Sequence, residues 1–308
     1  MRNKASFEKA SRDNRFDFEA AVEAAYLQNP GLESSVYFVD IGSGRVAHPD
    51  PAILSDLLHF ISDSPAGQQH IQPKIRDCQN HKTSYCHFGG ESSFVYIYTG
   101  DDRPSFFSSR VSEAQEMHFI FDHEFAHAHI PSGASDNRFL AENTADAYAL
   151  IRHIQRFGNK TPLTDEIVGF RARDTVFRAN GIFNFSCPAM EHILDMRKTV
   201  DFAALTPAQT SGLAEQIALE YTPDGDMLKR LYTSFSPLQK NSTLQELEQL
   251  AVTTKDAEVL KWSATVLKAV LKNKIAAPEG TTAEGFGKDM NKRLAAITRR
   301  QHRMTPQP

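Results

Sequence analysis

Cysteine is scarce, with three in 308 residues. An odd and small number argues against a disulfide framework and for a reducing compartment. No run approaches the roughly 18 apolar residues that a membrane-spanning helix needs, so no span is expected. The opening stretch MRNKASFEKASRDNRFDFE has no apolar centre, so a Sec signal peptide is not expected. Neither sign of charge dominates. Lys+Arg number 34 and Asp+Glu 38, a net charge of -4 that argues against nucleic-acid binding by the protein as a whole. Gly (16) and Pro (15) are too few for collagen-like or Pro-rich low complexity. The expected setting is the cytoplasm, or secretion without a Sec signal peptide as an effector.

What is present is an ordinary globular composition, 41% hydrophobic and 23% charged, in a length that suits one large domain or two small ones. Residues 17–28 (FDFEAAVEAAYL) have helical periodicity and end at Asn29-Pro30. Residues 35–40 (SVYFVD) and 93–99 (SFVYIYT) read as strands, with a helix over 51–61 between them. A capping box at Ser112 and Gln115 opens a helix to about 129, stopped by Pro131-Ser132-Gly133. Bulky apolar residues lie on most of its faces, so deep burial is expected. A second helix runs over about 138–157 and closes at Gly158-Asn159.

The remainder reads as mostly helical. Boxes stand at Thr206/Gln209 and Ser242/Gln245, and 255–274 is amphipathic along Val259, Trp262, Val266 and Val270. PEGTTAEGFGKD reads as a linker and NKRLAAITRRQHR as a short basic helix or tail; from 281 onward, six Lys/Arg against two Asp/Glu give +4, the mark of a solvated end. The expected organisation is α+β: 1–130 as an N-terminal subdomain with a small sheet, packed on a mainly helical lobe over 131–275, then 276–308 as linker and tail.

The chemistry concentrates in Asp122-His123-Glu124-Phe125-Ala126-His127. On a helix His123 and His127 share a face one turn apart, where two imidazoles reach a single tetrahedral Zn²⁺. Glu124 borders that face and is the expected general base, accepting a proton from the attacking water. A catalytic zinc usually keeps three protein ligands and an open position. Glu142 and Asp146, at i and i+4 on the next helix, offer one carboxylate to ligate and another to hold an imidazole.

HEFAH followed by ENTADAYA resembles the zincin metallopeptidases of the gluzincin type, which pair HExxH with a downstream ExxxD. The resemblance covers roughly 116–153. It implies a zincin-like fold, with His123, His127 and Glu142 as zinc ligands, Glu124 as base and Asp146 as the residue that orients His123. One departure bears on the third ligand: fourteen residues separate His127 from Glu142, fewer than in thermolysin-like enzymes, which makes Asp146 the rival. The metzincin form fails, because Ile130 stands where it requires Gly and no His follows at the motif's third-ligand position.

His118 and His129 lie on the same helix but are rotated away from the His123/His127 face, which suits packing or surface roles. His153, His192 and Tyr148 are candidates for a transition-state donor, with a surface position near a helix end the plainer reading of His153. Cys78, His81, Cys86 and His87 are metal-type residues whose spacing fits no usual zinc finger, so the segment reads as a loop. Cys187 reads as a small buried hydrophobe.

The leading expectation is a zinc metalloendopeptidase that hydrolyses peptide bonds of a protein or peptide substrate. The strand over 93–99 is the expected edge for pairing with an extended peptide. The alternative is a non-catalytic helical regulatory or partner-binding protein with a structural or vestigial zinc site. An amide hydrolase acting on a small molecule or a cell-wall peptide shares the chemistry and differs in its cleft.

Overall fold

The computed structural model describes residues 15–89, 92–103, 105–178, 180–239, 242–272, 275 and 289–304. They form an α+β, mostly helical protein: among the described residues, twelve α-helices and one sheet of four strands. The chain divides into two units. The first comprises 1–105, 112–159 and 196–219, the second 106–111, 160–195 and 220–308. The sequence-based boundary at 130 separated the HExxH helix from the helix after it, whereas here both belong to the first unit.

In the first unit, α1 (Phe18–Gln28) starts on an Asp17 cap, the Asp17 carboxylate accepting from the Ala20 N–H. The strands are β1 (Val36–Asp40), β2 (Arg45–Ala47), β3 (Tyr85–Gly89) and β4 (Ser92–Ile97), in the order β2-β1-β4-β3. β1 and β4 are parallel, with Phe38 opposite Val95. The chain between them passes through α2 (Pro51–Asp63) and α3 (Gln72–His81). The β3–β4 pair is antiparallel, with Cys86 opposite Val95.

This topology corrects two expectations. The strand read over 93–99 is β4, and it is paired on both sides, so it presents no edge. The edge beside it is β3, in a polar segment whose weak alternation hid it. The segment 78–87 is therefore no loop: Cys78 and His81 are on α3, and Cys86 and His87 on β3.

Side-chain alternation splits the sheet into two faces. Val39, Ile41, Phe94, Tyr96 and Tyr98 pack with Leu57 and Ile61 of α2 and Cys78 of α3. Phe38 points the other way and meets α4 (Glu113–His129), stacked on Phe121 at 5.2 Å and tilted against Phe125 at 5.6 Å. Helix α4 in turn packs along α5 (Arg138–Phe157). Both helices were legible in the sequence: Ser112 Oγ accepts from the Gln115 N–H, and Gly158 ends α5 with φ at 90°.

In the second unit, α6 (Pro162–Phe177) packs on α11 (Ala257–Leu271), which also packs against α10 (Leu244–Thr253) and α12 (Met290–Met304). The remaining helices are α7 (Cys187–Met196), α8 (Pro207–Tyr221, within the first unit as far as Leu219) and α9 (Gly225–Phe235). Val259, Trp262, Val266 and Val270 are all buried, with Trp262 edge-on to Phe185 at 5.2 Å. The cap of α10 is Thr243 with Glu246, one residue beyond the expected Ser242/Gln245.

At the basic end the helix is present, but it is packed and not a solvated end. The linker from 276 lies outside the described residues, but α12 is a packed helix. Leu294 and Ile297 are buried, and the Arg293 guanidinium donates to the Glu248 carboxylate. Arg300 donates to the Ala251 carbonyl at 2.7 Å, at the C-terminal end of α10. Among the described residues, no helix is long and apolar enough to cross a membrane.

Candidate metal centre

His123 and His127 project from the last two turns of α4, their rings at 84° and 4.9 Å between centroids. Glu142, on α5, completes a group whose donor atoms all lie within 4.8 Å of one another. Among the described residues this is the one group of three or more His, Cys, Asp or Glu side chains with metal-compatible spacing.

Hydrogen bonds fix which imidazole atoms face the group. His123 Nδ1 lies 2.9 Å from Asp146 Oδ1, and His127 Nδ1 lies 2.7 Å from the Gly133 carbonyl oxygen. A carbonyl and a carboxylate only accept, so both Nδ1 atoms carry a proton, and in the neutral tautomer of each ring the lone pair lies on Nε2. His123 Nε2 is 3.6 Å from Glu142 Oε2. One imidazole thus meets two carboxylates a helical turn apart, Asp146 at one nitrogen and Glu142 at the other. Asp146 is completely buried, while Glu142 is partly exposed.

The donor chemistry fits a zinc ion. Two neutral imidazoles and one carboxylate are a usual catalytic set, and three protein donors leave a position open. The bonds at Nδ1 are the outer contacts that ligating histidines almost always make. His123, His127 and Glu142 would hold the ion.

Glu124 follows His123 on α4 and is partly exposed. Burial first, then Asp77 and Glu124, push the Cys78 thiol up to about 11, and burial and then Glu124 push the Cys86 thiol up as well. The charge of Glu124 therefore acts on thiols of β3, the sheet edge, and of α3.

The base of α4 is locked by charge. Asp122, buried beside His123, accepts from Arg156 Nη1 at 2.7 Å, with Arg152 Nε 3.9 Å away. His118 and His153 are buried next to this pair, and both pack against Phe157, with ring centroids 5.8 and 5.0 Å from it. The surface position expected for His153 is overturned, since it is fully buried. Desolvation first, then Arg156, lowers His118 to about 2 and His153 to about 3. His129 stacks on Phe125 at 4.0 Å, and burial lowers it to about 4.

The other donor candidates are not brought into the group. Tyr148 is buried, its ring edge-on to His129 at 4.9 Å. His192 belongs to the second unit, where its Nδ1 meets the Tyr221 hydroxyl at 2.9 Å. His81 is exposed and paired with Asp77 on α3, and Cys187 is buried with its thiol toward the Val168 carbonyl. Sequence reading missed the carbonyl of Gly133. Its one signal was a glycine placed just past the end of the helix that carries both histidines.

Compared with family models, with curated proteins and with solved structures, the chain matches none. The geometry of the site itself therefore carries the functional reading.

Proposed function

We propose that this protein is a zinc-dependent metallopeptidase of the gluzincin type, with a zincin-like fold, hydrolysing peptide bonds of a protein or peptide substrate. The observation that carries the reading is the convergence of His123, His127 and Glu142 within 4.8 Å, with Glu124 beside them on the ligand helix. A purely structural zinc has four protein ligands and no need of a neighbouring base.

The ion supplies Lewis acidity toward a carbonyl oxygen and water. The chain does the rest. Glu124 takes the proton of the attacking water on its carboxylate and passes it to the leaving amine. Asp146 and the Gly133 carbonyl hold His123 and His127 in the tautomer that presents Nε2. Glu142 is assigned as the third ligand because it stands on the Nε2 side of His123, and Asp146 as the orienting group because it stands on the Nδ1 side.

The three cysteines are free thiols, which favours the cytoplasm or delivery into another reducing compartment as an effector. The test is proteome-wide comparison of new protein N-termini in cells expressing wild type or Glu124→Gln. Termini that appear with wild type alone support a peptidase. A zinc-loaded wild type that generates none leaves the non-catalytic reading standing.

A further inference from the structure

We infer that Glu215, on α8, is a positioning residue for the metal centre, setting His127 through the turn that follows α4. This role rests on the metal-binding reading and falls to a residue some ninety positions downstream of the ligand it serves.

The route begins at His127, whose Nδ1–H donates to the Gly133 carbonyl at 2.7 Å. The orientation of that ring is therefore only as fixed as the turn 131–135. The turn sits directly on the helix end. The Ile130 N–H donates to the Ala126 carbonyl, and the Ala134 N–H to the carbonyls of Ile130 and Pro131. A Cβ at Gly133 would stand 2.6 Å from the Ala126 carbonyl oxygen, so the turn approaches as closely as a glycine allows.

Two outside contacts then clamp it. The Ser132 N–H donates to Glu215 Oε1 at 3.2 Å, which ties down the residue just before Gly133. The hydroxyls of Ser132 and Thr144 are 3.0 Å apart, and Thr144 is fully buried on α5, one helical position from Ala145 and two from Glu142 and Asp146. The turn is thereby held to the helix that carries the carboxylates and to a third helix that carries Glu215. Ser211, one turn earlier on α8, reaches His129 Nε2 at 3.5 Å, so α8 touches the end of α4 at a second point. Glu215 is half-buried and supplies no donor atom to the group. Its effect on the centre runs through Ser132 and the Gly133 carbonyl.

A group that orients a ligand from outside typically shifts metal affinity by about 10–100-fold when removed. Zinc affinity of the full chain is measured by competition with a chromophoric chelator, together with the visible spectrum of the cobalt-substituted protein. Glu215→Ala is expected to weaken zinc by roughly tenfold or more and to alter the cobalt bands, with circular dichroism unchanged. Glu215→Gln keeps an oxygen acceptor without charge and is expected to restore most of the affinity. Glu215→Asp keeps the charge but withdraws the acceptor by one methylene, and is expected to weaken binding should the alanine variant fail to fold. Wild-type affinity and spectrum in both Glu215→Ala and Glu215→Asp overturn the inference while leaving the metal centre intact. Glutamine behaving like alanine also overturns it, because the effect would then be one of charge. Wild type that binds no zinc overturns the metal-binding reading and this inference with it.

Discussion

Asp146 Oδ1 stands 2.9 Å from His123 Nδ1, in a completely buried position where the carboxylate has an imidazole N–H to accept. Glu142, one helical turn earlier, stands off the other nitrogen of the same ring at 3.6 Å. The two acids thus stand one at each nitrogen of a single histidine.

That separation predicts different losses. Glu142→Ala removes a donor and is expected to empty the site in protein purified without added metal. Asp146→Asn is expected to weaken zinc by about 10–100-fold, as loss of an orienting contact does. Chelator competition measures both, and a site emptied by Asp146→Asn but retained in Glu142→Ala reverses the assignment.

Elemental analysis should find close to one zinc per chain. His123→Ala and His127→Ala should each abolish it, because each deletes one of three donors. Wild type that is free of metal and indifferent to added zinc would sink the metalloprotein reading.

Glu124→Gln should keep metal and fold yet lose hydrolysis by about 10²–10⁴-fold, the usual worth of a positioned general base. The amide matches the carboxylate in size but accepts no proton. Inhibition of wild type by 1,10-phenanthroline is an independent check. Equal cleavage by the variant would remove Glu124 from the mechanism.

Stability should fall in acid. His118 and His153 stay neutral in the folded protein, lowered to about 2 and about 3, whereas the unfolded chain protonates them near 6.5. Below pH 6.5 the unfolded state therefore binds more protons, and folding free energy drops by about 1.4 kcal/mol per pH unit for each histidine. Above 6.5 the pair contributes no slope. The groups facing them, Arg152 and Arg156 on α5, are cations that reinforce the effect. Urea unfolding at pH 7 and pH 5 measures it, and a His118→Phe, His153→Phe double variant with an undiminished acid slope would contradict it.

Much of the first unit was legible because its signals are local. Ser112, Gly133 and Gly158 punctuate α4 and α5, and the spacing of His123 with His127 and of Glu142 with Asp146 needs only helical periodicity. The α+β, mainly helical character followed from the same punctuation. The edge position of β3 was hidden because pairing order is set by partners distant in sequence. The 93–99 run is apolar on both faces, as a central strand should be, and that pattern is the local trace of its place between two neighbours.

Burial of His153 and docking of α12 were missed for a related reason. A histidine near a helix end and a basic tail both look solvent-bound until the phenyl ring of Phe157, or the carboxylate of Glu248, is seen opposite. The Gly133 carbonyl left almost no trace, since a backbone acceptor has no residue type of its own.

Phe121, Asp122, Phe125 and Ala126, interleaved with the two histidines on α4, are all buried. Phe121 and Phe125 serve the sheet, Asp122 serves Arg156, and Ala126 lies under Gly133. The helix thus leaves little room for neutral drift. In a saturation library, substitutions over 121–127 should be the worst tolerated, and selection for a new substrate would have to enrich changes in other segments.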